Sequence, residues 1–468
     1  MSLSPSLTER SFEDHDAPTD PPLSPGLRAA RTSAASRRPD RLPRSARLSL
    51  GVVLAATAVL YIAGLSASGY ANSFYSAAAQ AGSVSWKAWF FGSLDAGNSI
   101  TVDKPPAALW VMGLSVRLFG LSSWSILVPQ ALMGVAAVWV LYAAVRRSLG
   151  FDRATGTFRP SMRAHWAGLV GAVVFALTPA ATLMFRFNNP DALLVLLETV
   201  AAYCVIRATE TASRRWLALA GVAVGFGFLT KMLQAFIVLP AFVVAYAVAA
   251  PATWRRKVVD LLVAFGAMLV SLGWYVAVVE LVPASARPYI GGSQTNSFLE
   301  LVFGYNGFGR ITGNETGSVG GGGGGNAGSA WGSTGLTRMF DGVSGGMIAW
   351  LIPAALLLTV TAWLVLGRHG WKTALRRRSA SPATQANAGM LVFTGWLVVT
   401  ALVFSYMAGI YHDYYTVALA PAIGGSLAVL AQHFKEHPCR AFSDPLFAQV
   451  FQYPPGIHSD QAAHDLGV

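Results

Sequence analysis

The stretch Val102-Asp103-Lys104-Pro105-Pro106 lies between two long apolar segments, 48–68 and 123–145. A helix needs about 20 apolar residues to cross the hydrocarbon core of a bilayer, and both segments have that length. The ion pair is too polar to cross lipid, and the two prolines are typical of a helix start. The stretch therefore predicts a connection at a membrane surface, placed where a phosphate group can be bound.

The composition places the whole chain in the membrane class. Hydrophobic residues make up 54% of the 468 residues and charged residues 12%, and the mean hydropathy is +0.48. The formal net charge of +12 comes from Arg and Lys residues that flank apolar runs, so it indicates topology and no nucleic-acid partner. Two cysteines far apart in sequence, Cys204 and Cys439, predict neither a disulfide framework nor a metal site.

The apolar runs predict an all-α, polytopic integral membrane protein with about ten transmembrane helices. We place these spans at 48–68, 123–145, 164–184, 191–208, 216–230, 232–250, 258–282, 347–366, 389–410 and 414–432. Cations concentrate in every second connection. The positive-inside rule therefore puts these connections, and the N-terminus, in the cytoplasm.

Three regions follow from this pattern. Residues 1–47 are predicted to be a disordered, basic cytoplasmic leader, because they lack an apolar period. Residues 48–432 form the transmembrane domain, with outer loops 69–122 and 283–346, and residues 433–468 form a polar C-terminal tail. In the first outer loop we expect an interfacial helix at 106–120 and a second one at 72–91. The glycine run 320–325 in the other outer loop reads as a linker.

Polar residues gather at the outer ends of the predicted spans. From the first outer loop come Asp95, Asp103 and Lys104, and later turns contribute Arg186, Asn189, Asp191, Lys231, Gln234, His412 and Tyr414. A carboxylate can deprotonate an acceptor hydroxyl, and cations can stabilise a phosphate leaving group. The pattern is typical of a transferase that uses a polyprenyl-phosphate sugar donor.

Each of these residues also has a structural interpretation. Asp103 and Asp191 both stand at helix starts, where a carboxylate favours the positive end of the dipole. His412 can be an interfacial residue before the last span, with Tyr414 in an aromatic belt. Lys231 can mark a tight outer turn, although a cation at membrane depth needs a partner. The sequence leaves these alternatives open.

Several motifs together resemble the bacterial branch of glycosyltransferase family 39. These are polytopic GT-C transferases related to protein O-mannosyltransferases and to the lipid A aminoarabinose transferase. The motifs are Asn72-Ser73-Phe74-Tyr75, Val102-Asp103-Lys104-Pro105-Pro106, Arg186-Phe187-Asn188-Asn189-Pro190-Asp191, Leu229-Thr230-Lys231-Met232-Leu233-Gln234, Arg287-Pro288-Tyr289-Ile290-Gly291-Gly292-Ser293 and Tyr411-His412-Asp413-Tyr414-Tyr415. The resemblance covers roughly residues 48–432. It implies a GT-C fold with two juxtamembrane helices in the first outer loop and inversion at the anomeric carbon.

The resemblance also implies roles for the clustered residues. Lys104, with Arg186 or Lys231, would bind the donor phosphate, and an aspartate would act as the base. The candidates are Asp95 first, then Asp103, with Asp191 as the one most easily explained as a helix cap. The expected substrate-binding residues are Asn72, Tyr75, Trp86, Asn189, Asp191, Gln234, His412 and Tyr414. Asn72 stands where the wider superfamily has an acid, which is why the base is sought elsewhere. No cofactor is required by this scheme, and a divalent cation between an aspartate and the phosphate stays open.

The expected activity is transfer of a hexose such as mannose, or of a pentose, from a polyprenyl-phosphate donor on the outer face of the cell membrane. The acceptor can be a lipid, a glycan or a protein. A non-catalytic carrier or flippase for lipid-linked sugars is the competing class. A third hypothesis is an inactive, truncated paralogue, because the tail 433–468 resembles nothing in the family.

Overall fold

The computed structural model describes residues 43–159, 161–313, 332–367 and 383–436. The expected leader, apart from residues 43–47, lies outside these ranges. So do the glycine run 320–325 and the tail beyond residue 436.

Helices build almost all of the described chain. They are α1 Arg44–Ile62, α2 Ser73–Val84, α3 Trp86–Phe91, α4 Ala107–Phe119, α5 Ser123–Gly150, α6 Met162–Leu177, α7 Pro179–Met184, α8 Asp191–Thr211, α9 Arg214–Lys231, α10 Leu239–Ala249, α11 Trp254–Leu281, α12 Phe298–Phe303, α13 Gly309–Thr312, α14 Gly342–Ile348, α15 Ile352–Gly367, α16 Ala383–Tyr406 and α17 Ala420–Glu436. Short 3-10 helices at Met232–Phe236 and Asp413–Leu419 lead out of α9 and into α17. A two-residue hairpin pairs β1 Phe151–Asp152 with β2 Thr157–Phe158.

The membrane-spanning character of the chain is confirmed. Within the described ranges, eight helices are long and apolar enough to cross a bilayer. The expected count of ten is not confirmed, because the segments 164–184 and 232–250 form the shorter helices α6 and α10, of 16 and 11 residues. The class, all-α and polytopic, is as the sequence predicted.

The segment 69–122, predicted to be the first outer loop, contains the expected short helices. The predicted interfacial helix at 106–120 is α4, and the predicted helix at 72–91 is two helices, α2 and α3, broken at Ser85. Asn72 caps α2 by accepting from Phe74 N, and Ser85 caps α3 by accepting from Ala88 N. Trp89 Nε1 donates to Trp110 O at 2.9 Å, which docks α3 onto α4.

Small residues let the spanning helices approach closely. A Cβ added to Gly171 in α6 would lie 3.0 Å from Gly424 O in α17, and one added to Gly221 in α9 would lie 2.1 Å from Ala264 O in α11. Such contacts between backbones are how helices associate in lipid, where no hydrophobic force drives them together.

Polar networks lie at both ends of α8. Its first residue, Asp191, belongs to one network, and Glu210, next to its last residue, accepts from Arg147 at 2.8 Å in the other. A helix of 21 residues is about 30 Å long, close to the thickness of the hydrocarbon core. The bundle therefore separates two polar ends by one membrane thickness.

Backbone pairing joins residues 99–101 to residues 289–291, which belong to the two loops predicted to face outward. Thr101 N donates to Tyr289 O at 2.8 Å, and Gly291 N donates to Thr101 Oγ1 at 2.9 Å. A Cβ at Gly291 would meet Thr101 O at 2.2 Å, so only glycine fits this approach. The pairing brings the loop after residue 283 against Asp103 and Lys104.

Candidate active site

Lys104 is the centre of a polar cluster between the two outer loops. Its Nζ contacts Asp103 Oδ2 at 3.1 Å and donates to Asn306 Oδ1. Asn306 Nδ2 donates in turn to Asp103 O at 2.6 Å, and Arg310 donates to Asn306 Oδ1 at 3.4 Å. Because α4 begins at Ala107, Lys104 lies just before a helix N-terminus, where a cation is unfavourable unless an anion is bound.

A second pair lies at the same end of the bundle. Lys231, the last residue of α9, contacts Asp191 Oδ1 at 2.7 Å, and its Nζ lies 3.7 Å from the ring centroid of Tyr415. Both side chains are almost fully buried, and the hydrogen bonds within the described ranges leave Asp191 Oδ2 without a donor. Asp191 is thus both the first residue of a helix and the partner that Lys231 was expected to need.

The cations of the two pairs meet in one small cavity of about 150 Å³, which we call the cationic cavity. Lys104, Lys231 and Arg310 line it, with Asn306, Gln234 and Tyr415 as further polar groups. The described lining includes no carboxylate. The remaining wall is apolar and is formed by Leu233, Ile237, Ile311, Val403, Phe404 and Met407. The cavity therefore combines an anion site with a lipid-compatible surface.

A larger cavity of about 870 Å³, which we call the wide cavity, opens beside the first. Tyr414 lines the wide cavity, whereas its neighbour Tyr415 lines the cationic cavity. The expected residues Asn72, Asn189 and His412 also lie on its wall. The turn Asp413–Leu419 thus forms part of the wall between the two cavities.

Asparagines fix the wall of the wide cavity. Asn188, fully buried, accepts from Asn72 N at 2.7 Å and donates to Ser76 Oγ at 2.8 Å. Asn72 Nδ2 donates to Asn189 Oδ1 at 3.3 Å. The start of α2 is therefore tied to the turn before α8, and Tyr75, one helical turn on, is buried beneath it. Burial raises the pKa of Tyr75 well above its usual value, so its hydroxyl stays protonated.

Burial and neighbouring charges set the protonation of the loop residues. Desolvation lowers the pKa of Lys104 to about 8, although Asp103 opposes the shift. Burial alone would raise the pKa of Asp103, but Lys104 and then Arg310 outweigh it and hold that pKa below its usual value. Burial, with Lys231 and Arg310, lowers the pKa of His412 to about 4, so the imidazole is neutral at pH 7.

Three of the expected site residues are not among the groups that the structure brings together. Arg186 donates to Leu60 O at 2.6 Å and to Ala63 O at 2.7 Å, so it satisfies carbonyls at the C-terminal end of α1. Trp86 is 58% exposed and lies against the guanidinium of Arg117. Asp95 accepts from Ser99 N at 3.0 Å and from Ser99 Oγ at 3.3 Å.

Three residues in or near the cluster were not selected from the sequence. Asn306 and Arg310 lie between α12 and the end of α13. The sequence signal for Arg310 was that a cation occurs in a loop predicted to face outward, against the positive-inside bias. Glu198 lies two turns below Asp191 in α8, is 2% exposed, and has an Oε2 without a hydrogen-bond partner in the described chain.

Asp103 and Asp191 are the carboxylates of the cluster that could approach a divalent cation bound at a phosphate. Among the residues that the structure describes, no group of three or more His, Cys, Asp and Glu side chains forms a ligand set. Whether a cation takes part stays a prediction.

Comparison with known proteins gives three findings. Residues 103–275 match the family described as dolichyl-phosphate-mannose-protein mannosyltransferase. The chain is 39% identical over 279 residues to "Putative mannosyltransferase YkcB" of Bacillus subtilis, which covers 59% of this chain and 37% of that protein. It is 31% identical over 427 residues to "Putative mannosyltransferase YycA" of the same organism, which covers 75% of this chain and 58% of that protein.

The similarity to solved structures is weaker than the similarity to these sequences. ArnT from Cupriavidus metallidurans, bound to undecaprenyl phosphate, superposes with a TM-score of 0.46 and 19% identity, over 87% of this chain and 60% of that one. At this TM-score the likeness adds nothing to the fold described above.

The chain spans between about a third and three fifths of the length of the curated relatives it matches. The matched family range begins at Asp103 and includes Lys104, Asp191 and Lys231, the residues of the two ion pairs. The resemblance that the motifs indicated is therefore confirmed: over residues 103–275 the chain is similar to the dolichyl-phosphate-mannose-protein mannosyltransferase family, and it is similar to two proteins of Bacillus subtilis named as putative mannosyltransferases.

Proposed function

We propose that the protein transfers a sugar, a hexose such as mannose or a pentose, from a polyprenyl-phosphate donor to an acceptor at the outer face of the cell membrane. The observation that carries this proposal is the cationic cavity, where three cations and no described carboxylate face a space of about 150 Å³. The matched family is described by a lipid-phosphate sugar donor, dolichyl-phosphate mannose, which agrees with that chemistry.

The cations would stabilise the leaving group. As the bond between the sugar and the phosphate breaks, negative charge develops on the phosphate oxygen, and donors already in place stabilise it without reorganisation. Lys104, Lys231 and Arg310 line the cavity from different elements, so they can surround an anion. Asn306 holds the Lys104 side chain, and Asp191 holds Lys231.

The apolar part of the same cavity would receive the start of the polyprenyl chain. Val403 and Phe404 come from the last turn of α16, Met407 follows that helix, and Ile311 comes from α13. A chain that continues from the phosphate would run along these side chains toward lipid. Burial of apolar surface in lipid gains little free energy, so we expect the phosphate contacts to dominate recognition.

For the acceptor base we propose Asp103 in place of Asp95. Asp103 contacts Lys104, which lines the cationic cavity, and its side chain is 28% exposed, so it is the partly accessible carboxylate beside the proposed phosphate site. Its lowered pKa makes it a weak base that stays ionised over the working pH range. The carboxylate of Asp95 is engaged by Ser99 instead.

The orientation of the site is part of the proposal and can be tested by labelling. Single cysteines at Ala96, near the site, and at Ala154, in the hairpin turn, are both exposed positions. In a background without Cys204 and Cys439, an impermeant maleimide added to intact cells should label Ala96→Cys and not Ala154→Cys. The opposite pattern would place the site in the cytoplasm.

The activity itself is tested with purified protein and a radiolabelled polyprenyl-phosphate mannose donor. The expected result is release of polyprenyl phosphate together with a labelled acceptor, and loss of both in Lys104→Ala. Lys87→Ala, which removes an exposed lysine of α3 at the same end, is the matched control and should keep full activity. Movement of intact donor across liposomes, without cleavage of the sugar–phosphate bond, would favour the carrier class instead.

A further inference from the structure

The two cavities differ in the charge of their walls. The cationic cavity presents three cations to its contents, as an anion requires. The wide cavity presents the carboxylates of Asp341 and Asp413 and the guanidinium of Arg338. The two spaces are therefore suited to substrates of different charge.

Arg338 keeps its positive charge, but the protein itself engages much of its guanidinium. Its guanidinium donates to Phe404 O at 3.2 Å and to Met407 O, and it lies 4.4 Å from the ring centroid of Tyr411. Burial lowers its pKa, although Tyr411 and Asp413 oppose the shift. A guanidinium engaged by backbone carbonyls and a ring has fewer donors left for a ligand.

The remaining polar groups of the wide cavity are neutral or negative. His412 is uncharged at pH 7, because burial and nearby cations lower its pKa to about 4. Asn72 and Asn189 supply amide groups. Asp341 stands at the start of α14, is exposed, and makes no capping hydrogen bond with its side chain. A negatively charged ligand would meet two carboxylates against the single guanidinium of Arg338, whereas hydroxyl groups would find acceptors.

Flat aromatic surface lies beside these acceptors. The rings of His412 and Tyr414 are parallel within 9°, with centroids 5.2 Å apart, and both residues line the wide cavity. Planar rings next to carboxylates and amides are suited to a sugar ring, whose apolar face packs on the aromatic while its hydroxyls donate to the oxygens. The volume of about 870 Å³ allows more than one sugar unit.

We propose that the wide cavity binds an uncharged saccharide as the acceptor, and that Asp341 and Asp413 discriminate against acceptors that carry phosphate or carboxylate groups. The proposal rests on the proposed function, since it names the acceptor class of the same site. In the transfer, an acceptor hydroxyl oxygen bonds to the anomeric carbon of the donor sugar while the sugar–phosphate bond breaks. The electron pair of that bond stays on the phosphate, and the hydroxyl proton passes to Asp103.

The experiment compares kcat/KM for three acceptors with one donor, polyprenyl-phosphate mannose. The acceptors are mannotriose, mannotriose carrying a 6-phosphate, and a neutral serine-containing peptide. Wild-type protein should use mannotriose at least about tenfold better than its phosphate ester, because like charges across an interface are discriminated against. Equal use of both, preference for the ester, or transfer to the peptide alone would overturn the proposal.

Charge variants test the discriminating residue. Asp341→Asn should lower the ratio of kcat/KM for mannotriose to kcat/KM for its phosphate ester. Asp341→Lys should bring this ratio to one or below, and donor affinity should stay unchanged in both variants. Gln80→Lys adds the same single charge as Asp341→Asn, but on the exposed face of α2, and should leave the ratio as in wild type. An unchanged ratio in Asp341→Lys would overturn the role of Asp341.

Donor affinity separates this inference from the proposed function. If wild-type protein binds the donor and has a higher kcat/KM for the phosphorylated saccharide than for mannotriose, only the acceptor inference fails. If it neither binds nor cleaves the donor, both fail.

Discussion

Lys231 Nζ lies 2.7 Å from Asp191 Oδ1, where the last residue of α9 meets the first residue of α8. The two helices are connected at the opposite end, so this ion pair closes the pair of helices at the end that contains the cavities. The exposed fractions of the two side chains are 4% and 1%, which makes the pair a buried one. Its cation is also one of the three that line the cationic cavity.

The buried pair predicts a large effect on stability when one partner is removed. Lys231→Met and Asp191→Asn should each lower the unfolding temperature, because a lone buried charge costs about 3–5 kcal/mol. The double variant should recover part of the loss. Thermal unfolding in detergent measures this, with Arg159→Gln as control, since Arg159 is 60% exposed and 4.0 Å from Asp152. Single variants as stable as Arg159→Gln would contradict the burial.

The lowered pKa of Lys104 predicts a pH dependence of donor binding. With a pKa of about 8, the lysine loses its charge in the unbound protein as the pH rises past 8. An anion binds the protonated form, so affinity should be constant below about pH 7 and fall by up to about tenfold per pH unit above 8. A sugar-loaded donor is suited to the measurement, because a phosphate diester does not titrate in this range.

The matched variant for this titration is Lys104→Arg. Arginine keeps its charge across the range, so the fall above pH 8 should disappear, even if the altered geometry weakens binding at every pH. A profile in Lys104→Arg with the same decline as wild type would assign the titration to another group.

The pairing of the outer loops predicts that Gly291 tolerates no side chain. In Gly291→Ala, the new Cβ would meet Thr101 O at 2.2 Å and push the loop 289–310 away from Lys104. Donor affinity should fall more than tenfold, since Asn306 and Arg310 lie on that loop. Gly346→Ala, in α14 with nothing within 4 Å of the added Cβ, should bind donor as wild type does. Equal affinities would show that the pairing does not position the site.

The choice between the two aspartates predicts different kinetics for two conservative variants. Asp103→Asn should reduce single-turnover transfer strongly and also alter donor affinity, because Asp103 touches Lys104. Asp95→Asn should retain most of the transfer and affect mainly the turn that Ser99 closes. Rapid-quench measurement of the single-turnover transfer rate in both variants distinguishes the two candidate bases. Abolished transfer in Asp95→Asn with donor binding intact would restore Asp95 as the base.

Local sequence signals predicted the helices and part of the site. Apolar length identified most spans, and the prolines before α4 identified the interfacial helix. The cost of a cation at membrane depth indicated that Lys231 would need a partner, which is Asp191. Each of these signals is contained within a short stretch of chain.

The parts that sequence reasoning missed depend on long-range contacts or on local competition. Asn306 reaches Lys104 because residues 99–101 pair with the loop that starts at Arg287, and no periodicity reveals such pairing. Arg186 was expected at a phosphate, but the C-terminal carbonyls of a helix also attract a cation. Asp95 was expected to act as the base, and in the structure its carboxylate accepts from Ser99 N, as aspartates in turns often bond to nearby backbone groups.

The proposed role of Lys104 is to hold the donor phosphate, and the equilibrium affinity for polyprenyl phosphate reports on that role without any catalytic step. Titration of purified wild type, Lys104→Ala and Lys87→Ala with polyprenyl phosphate gives the three dissociation constants. Loss of a charge-assisted contact of about 1.5–3 kcal/mol should weaken Lys104→Ala by about tenfold to over a hundredfold and leave Lys87→Ala unchanged. A folded Lys104→Ala protein that binds polyprenyl phosphate as tightly as wild type would contradict the account.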